Sequence, residues 1–153
     1  MEKTNVSRLL DLNKIDYLMH EYDETQTDGK EVAKLVGKPP EMVFKTLVTV
    51  VGVKDYRVFV IPVSSTLNLK KAAVSAGVKS VEMLKQKELL PLTGYIHGEC
   101  SPIGMKKPFK TFIDETAILF DTICVSAGKV GKQIEISPTK LKEFINAEFK
   151  DLT

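Results

Sequence analysis

Hydrophobic and polar positions along this chain follow two alternating periods, which predicts helices interleaved with strands. Near the N-terminus the apolar residues recur at the spacing of one helical face, which predicts a first helix that ends near Asn13. These residues are Val6, Leu9, Leu10 and Leu12. A strand is then predicted over residues 15–22. A second helix is predicted to begin at Asp28, which stands three residues before Glu31 at capping-box spacing, and to end at Gly37.

A hairpin is the clearest prediction for the middle of the chain. Residues 43–51 are rich in β-branched side chains, residues 52–55 have turn composition, and residues 56–63 form a second apolar run. Asn68 can cap a helix that runs to Ala76, and a short helix is predicted over residues 85–90. Short links between strands of this kind disfavour a doubly wound parallel sheet.

The residue pattern of the C-terminal half predicts an irregular loop, which is followed by short strands and one helix. Residues 94–107 contain three glycines and one proline. Strands are predicted over residues 111–113, 122–126 and 133–136, and Ser137 before Pro138 is typical of a helix start. The last helix is predicted to place four apolar residues on one face, namely Leu141, Phe144, Ile145 and Phe149. The whole chain, 1–153, is expected to be one α/β domain with a mixed, largely antiparallel sheet.

Composition narrows the possible functions. The chain is 43% hydrophobic and 27% charged, which is typical of a globular protein, and we expect neither a secretory signal nor a membrane span. The net charge of +2 is small for a protein that binds nucleic acid alone. Two cysteines and two histidines show no zinc-binding spacing, so no metal and no cofactor is expected. A cytoplasmic location is predicted.

Lys45 is the first candidate for chemistry because it interrupts the apolar run 43–48. A lysine inside a strand either reaches solvent at a sheet edge or faces a pocket. In a pocket its ammonium group can bind a carbonyl, carboxylate or phosphate oxygen. The residue pattern leaves both interpretations open.

The second candidate is the loop 93–104. Its glycines allow close approach to a ligand, Ser101 adds a hydroxyl group, and Pro102 restricts the backbone. His97 and Cys100 could be a base and a nucleophile, but no spacing rule supports that pair, and we interpret Cys124 as a packed thiol. A plain surface loop is the alternative.

Two further segments have both a structural and a functional interpretation. The turn from Ser126 through Gly128 to Gly131 joins two predicted strands, and a turn of this kind can also face a ligand. Tyr22 ends the first predicted strand and is either a pocket-rim aromatic residue or part of the core. The pairs Lys70–Lys71 and Lys106–Lys107 are candidates for phosphate contacts.

These segments together resemble the YbaK/EbsC family, in the same order and spacing over essentially the whole chain. The matching segments are Val43-Phe44-Lys45-Thr46-Leu47, the loop from Gly94-Tyr95 to Gly104, Lys106-Lys107 and Val125-Ser126-Ala127-Gly128-Lys129. The resemblance implies a strongly curved mixed sheet with flanking helices, shared with the editing domain of bacterial prolyl-tRNA synthetases. It also implies an aminoacyl-tRNA deacylase that acts on the aminoacylated tRNA 3′ end, with prolyl-tRNA synthetase as a partner.

The resemblance also implies roles for individual residues. The family's essential lysine corresponds to Lys45, and its Gly-x-x-x-Pro element corresponds to Gly98 and Pro102, with the Gly98 N–H directed at the aminoacyl carbonyl. The rim aromatic corresponds to Tyr22. The remaining substrate-binding positions implied are Thr46, Ser101, Ser126 and Gly128.

Two positions depart from the family pattern and bear on the substrate. Glu99 stands where many members have glycine, and Gln133 stands where many cysteine-specific members have an acid. The expected reaction is release of cysteine from mischarged tRNA(Pro), with the substrate's own thiol as the nucleophile. Release of another amino acid such as alanine, and a non-catalytic module that binds aminoacyl-tRNA or a synthetase, are the alternatives.

Overall fold

The structure, a computed structural model, describes residues 2–23 and 28–153. The helices are α1 Asn5–Leu12, α2 Gly29–Val36, α3 Leu69–Ala76, α4 Gln86–Thr93 and α5 Pro138–Phe144, with a 3-10 helix at Glu115–Leu119. The strands are β1 Tyr17–Glu21, β2 Phe44–Val51, β3 Asp55–Pro62, β4 Glu82–Met83, β5 Lys110–Asp114, β6 Ile123–Lys129, β7 Lys132–Ile136 and β8 Glu148–Lys150. Within the described ranges, no helix has the length and apolar character needed to span a bilayer.

The strands form two sheets. One has the order β1-β7-β6 and is antiparallel throughout, and the other has the order β4-β2-β3-β5-β8. In the larger sheet β2 pairs antiparallel with β3 and β4, whereas the β3–β5 and β5–β8 pairs are parallel. A parallel bridge between Val43 and Cys124 joins the sheets. The predicted α/β class with mixed, largely antiparallel pairing is therefore confirmed.

Local sequence signals account for most of the element boundaries. The Asp28 side chain accepts a hydrogen bond from the Glu31 N–H at the start of α2, and Gly37 ends that helix in the left-handed conformation. Asn68 caps α3 in the same way by accepting from the N–H groups of Lys70 and Lys71. The hairpin formed by β2 and β3 is confirmed.

The prediction for the C-terminus was wrong beyond Phe144. Helix α5 stops there, Asn146 takes a positive φ of 54°, and Phe149 lies in β8 instead of on a helical face. Phe149 pairs in register with Ile113 of β5, so backbone pairing with a distant strand prevails over the local helical pattern. The first strand also begins two residues later than predicted, at Tyr17.

The two faces of the smaller sheet differ in character. One face is apolar and carries Ile123 and Ile134, which pack against Val6 and Leu10 of α1. On the other face lie the alternate residues of the same strands, including Gln133, which is opposite Ser126 in β6 and His20 in β1. Ala33 of α2 belongs to the cluster that contains Cys124 on this second face. The polar face beside α2 is where the candidate site is located.

Candidate active site

A cavity of about 440 Å³ opens where the two sheets, the start of α2 and the loop 94–107 meet. It is lined by Tyr22, Asp28, Gly29, Val32, Phe44, Lys45, Thr46, Leu47, Val63, Leu89, His97, Gly98, Cys100, Ser126 and Gln133. Five of the eight predicted site residues are in this set. The structure thus brings together residues from eight separate segments of the chain, as expected of a binding site.

Lys45 lies in the second position of β2, opposite Ile61, and its side chain is half-buried. Among the described residues, the Lys45 ammonium group has no ion pair and no hydrogen bond. Lys45 also lines an adjoining polar hollow of about 230 Å³ that contains Ser64, Ser65 and Thr66. Its positive charge is therefore available to a ligand in either space, and the pocket interpretation of Lys45 agrees with this position.

The second predicted element is the loop that presents Gly98. Gly98 has a φ of 89°, in the left-handed region, and its N–H has no acceptor among the described residues. The neighbouring Glu99 is fixed by two bonds: its carbonyl accepts from the Ser126 hydroxyl at 2.8 Å, and its N–H donates to Ile96 at 3.1 Å. A free N–H on an anchored loop can stabilise negative charge on a ligand oxygen.

Tyr22 and Thr46 complete the predicted residues that line the cavity. Both are half-buried. The Tyr22 N–H donates to the Gly131 carbonyl at 2.9 Å, which holds the end of β1 against the β6–β7 turn. The position of Tyr22 at the cavity follows from this bond, because the side chains of alternate β1 residues share the face that carries Gln133.

Three predicted binding residues are absent from the cavity lining. Ser101 is fully buried, and its hydroxyl accepts the Ile103 N–H at 3.3 Å. Pro102 is also buried. Gly128 has a φ of 90°, and a Cβ atom there would lie 3.0 Å from Val6 and 3.2 Å from Tyr95. Their contact with substrate stays a prediction, whereas their positions shape and support the loop and the turn.

The cavity contains one thiol, and it is poorly suited to attack an ester. Burial raises the pKa of Cys100 to about 12, so the thiol is protonated near neutral pH. His97 is exposed and makes no hydrogen bond with Cys100. Burial also raises the pKa of Cys124 to about 12, and Cys124 does not line the cavity. The geometry therefore provides no activated nucleophile on Cys100.

Gln133 contributes a feature that its sequence context did not reveal. Gln133 is only 7% exposed, and its Oε1 atom has no hydrogen-bond partner among the described residues. Buried polar atoms are normally paired, so an unpaired one at a cavity indicates a place for a ligand. Glu99, the other departure from the family pattern, does not line the cavity.

The fold also brings together a group of potential metal ligands that are far apart in the sequence. His20, Cys124 and Glu135 place their donor atoms within 4.8 Å of one another, although they come from three different strands. Sequence spacing detects only ligands on one local element, so this group becomes visible only in the folded chain. It lies outside the cavity lining.

A family model for the aminoacyl-tRNA editing domain matches residues 23–144, which is more than half of the chain. A protein of Enterococcus faecalis is 43% identical over 99% of this chain and 94% of its own length. Its name, EbsC, is accompanied by a provisional description as a Cys-tRNA(Pro)/Cys-tRNA(Cys) deacylase. An uncharacterised Bacillus subtilis protein, YwhH, is 24% identical over 81% of this chain and 78% of its own length.

Solved structures share the fold. A crystal structure described provisionally as a trans-editing enzyme for prolyl-tRNA synthetase has a TM-score of 0.85 and 23% identity, and covers 99% of both chains. A crystal structure of a hypothetical protein has a TM-score of 0.89 and 22% identity, and covers 97% of this chain and 99% of that one. At these identities the likeness establishes the arrangement of the elements.

Proposed function

The chain belongs to the aminoacyl-tRNA editing domain family and is an aminoacyl-tRNA deacylase, and we propose that it releases cysteine wrongly attached to tRNA(Pro). The observation that carries the proposal is the cavity in which the unpartnered Lys45 ammonium and the free Gly98 N–H both lie. The provisional description of the Enterococcus faecalis relative, which is 43% identical, supports cysteine as the amino acid.

In this proposal the aminoacyl ester at the tRNA 3′ end occupies the cavity. The Gly98 N–H donates to the aminoacyl carbonyl oxygen, and Lys45 supplies positive charge beside the ester or the terminal phosphate. Tyr22 and Thr46 contact the bound nucleotide and amino acid. Ser126 acts through its hydrogen bond to Glu99, which holds the Gly98 loop in place. Ser101, Pro102 and Gly128 support this surface from behind.

The substrate supplies the nucleophile in this mechanism. The cysteinyl thiolate attacks its own ester carbonyl, a carbon–sulfur bond forms, and the ribose oxygen leaves and takes up a proton. Water then opens the resulting thiolactone to give free cysteine. The protein's role is to hold thiol and ester in a reactive geometry and to stabilise the oxyanion, which accounts for large rate gains without a protein nucleophile. The raised pKa of Cys100 is consistent with this division of roles.

The partner and the location follow from the same proposal. A net charge of +2 provides little general attraction for tRNA, so we propose that prolyl-tRNA synthetase presents the mischarged tRNA in the cytoplasm. A titration of labelled tRNA(Pro) with the protein, with and without the synthetase, tests this idea. We expect weak, salt-sensitive binding alone and tighter binding with the synthetase. Nanomolar, salt-insensitive binding by the protein alone would contradict it.

The activity itself is tested by turnover. Purified protein at a small fraction of the concentration of cysteinyl-tRNA(Pro) should release many cysteines per protein molecule. A non-catalytic binding module would protect the ester or release no more than one equivalent. Release that stops at one equivalent would therefore refute the catalytic proposal.

A further inference from the structure

The polar face of the smaller sheet holds a second cluster, next to the cavity but outside its lining. Cys124 and Glu135 lie directly opposite each other in β6 and β7, and His20 is diagonal to Glu135 across β1. Side chains in these positions of an antiparallel sheet point to the same side. The His20 Nε2 atom is 2.8 Å from the Glu135 Oε1 atom, and the three donor atoms lie within 4.8 Å of one another.

We propose that His20, Cys124 and Glu135 form a binding site for one zinc ion, which ties β1, β6 and β7 together. Zinc binds imidazole, thiolate and carboxylate groups at about 2.0–2.3 Å in tetrahedral geometry, which places neighbouring donor atoms about 3.3–3.6 Å apart. The His20–Glu135 pair is closer than that range and no pair is more than 4.8 Å apart, so we infer that side-chain rotations can bring the three donors to it. A set containing one sulfur, one nitrogen and oxygen donors favours zinc over magnesium or calcium.

In this proposal Gln133 supplies the fourth donor. Gln133 is opposite His20 and two residues from Glu135 on the same strand face. Its Oε1 atom is buried and has no hydrogen-bond partner among the described residues. An amide oxygen can complete a four-coordinate site, and the coordination would satisfy an atom that the metal-free chain leaves unpaired.

Lys38 is the competitor that a metal ion must displace. Its ammonium group lies 3.4 Å from the Glu135 Oε1 atom, while the Thr122 hydroxyl donates to the other carboxylate oxygen at 2.5 Å. The positive charge of Lys38 therefore balances the negative charge of the Glu135 carboxylate. Because the Lys38 side chain is 30% exposed, it can move into solvent when a doubly charged ion arrives.

Access and function follow from the location of the cluster. Glu135 and Thr122 line a surface hollow of about 220 Å³, so we infer that an ion enters from the Glu135 side of the cluster. His20, Cys124 and Glu135 lie outside the lining of the catalytic cavity, and only the proposed fourth donor, Gln133, lines it. In this proposal the ion stabilises the sheet and takes no part in ester release. Binding breaks the Cys124 S–H bond, releases the proton to solvent and forms a sulfur–zinc bond.

Cobalt(II) titration of the chelator-treated protein tests the site by its absorption spectrum. We expect saturation at one equivalent, tetrahedral visible bands and a thiolate-to-cobalt charge-transfer band, all reversed by zinc. The change Cys124→Ser should abolish the charge-transfer band. The matched control Cys100→Ser removes the other thiol and should leave the band intact. Absence of saturable cobalt binding, or a charge-transfer band that persists in Cys124→Ser, would overturn the proposal.

A second variant tests the site without removing a ligand. Lys38→Met eliminates the competing charge and should tighten zinc binding at least about tenfold, measured by competition with a chromophoric chelator. Zinc should also raise the thermal midpoint of the wild-type protein, whereas His20→Ala should lose that increase. Equal or weaker zinc binding by folded Lys38→Met would contradict the proposed exchange.

Discussion

Two regions of the molecule place a lysine near the start of a strand, and they treat its charge differently. Lys132 of β7 is 6% exposed, and its ammonium group contacts the Glu21 carboxylate at 3.1 Å and the Glu2 carbonyl at 3.1 Å. Lys45 of β2 is half-buried and has no such partner among the described residues. Both lysines lie near the start of their strands, and the difference in their partners arises from what the fold places nearby.

The comparison separates a structural charge from a functional one. A buried ammonium group whose partners are supplied by the chain fixes those partners, here the end of β1 and the N-terminal segment. An ammonium group left unpaired at a cavity is poised for a charge that arrives with the ligand. We therefore expect loss of Lys45 to affect catalysis and loss of Lys132 to affect stability.

The largest expected effect is that of Lys45→Ala. Deacylation of cysteinyl-tRNA(Pro) should fall at least about a hundredfold, or about 2.7 kcal/mol of transition-state stabilisation, because the positive charge beside the ester is lost. Single-turnover rates measure the effect, and a urea melt close to that of wild type shows that the fold is intact. A folded Lys45→Ala protein with a near-normal rate would remove Lys45 from the catalytic account.

The substrate-assisted step gives the next largest effect. Replacing the attached cysteine with serine should slow release at least about tenfold, because a hydroxyl is a much poorer nucleophile than a thiol near neutral pH. Wild-type rates on cysteinyl- and seryl-tRNA(Pro) provide the comparison. Equal rates on the two substrates would show that the substrate thiol is not the nucleophile.

Lys132→Met tests the other side of the comparison. The change should lower the free energy of unfolding by about 1–2 kcal/mol, a modest value because the Glu21 carboxylate is 45% exposed and stays hydrated. Urea denaturation measures the loss, and the deacylation rate should stay within about twofold of wild type. A large fall in rate with unchanged stability would contradict the structural role of Lys132.

Stability at alkaline pH tests whether folding shields the two thiols from ionisation. Folding raises the pKa of Cys100 and Cys124 from 9.0 to about 12. Above about pH 9 the unfolded chain loses these protons first, so stability should fall by up to about 1.4 kcal/mol per pH unit for each thiol. Urea midpoints over this range should fall less steeply in the double variant Cys100→Ser, Cys124→Ala. Identical slopes would show that the folded thiols are not shielded.

The same double variant should have the smallest effect on the reaction. Its rate on cysteinyl-tRNA(Pro) should stay within about twofold of wild type, because Cys124 is outside the cavity and the protonated Cys100 thiol is not the nucleophile. Stability measured in parallel identifies a variant that fails to fold. A folded double variant without activity, together with full activity on seryl-tRNA(Pro), would assign the nucleophile to the protein.

Local sequence patterns predicted the structure correctly where it depends on residues that are close together in the chain. The β2–β3 hairpin and the α2 cap at Asp28 follow from turn and capping chemistry. Lys45 was singled out by the apolar run around it and Gly98 by the resemblance, and the fold places both at one cavity. Long-range pairing was not predictable: Phe149 fits a helical face in the sequence, but it lies in β8 and pairs with Ile113 of β5.

The unpaired and clustered groups could not be found from the sequence for a related reason. The Gln133 Oε1 atom lacks a partner because of what surrounds β7, and no sequence pattern records that absence. His20 and Glu135 meet because β1 and β7 pair in one particular register. Gly128 lies beside Val6 and Tyr95 because of how the turn packs, and its contact with the ligand stays a prediction.

The most direct test of the account is the selectivity of the wild-type protein. Purified enzyme is offered cysteinyl-, alanyl- and prolyl-tRNA(Pro) under identical conditions, and the initial rates of ester release are compared after subtraction of spontaneous hydrolysis. The account predicts rapid multiple turnover on cysteinyl-tRNA(Pro), much slower release of alanine, and no release of proline above background. Faster release of alanine than of cysteine would contradict cysteine as the substrate and the substrate's thiol as the nucleophile.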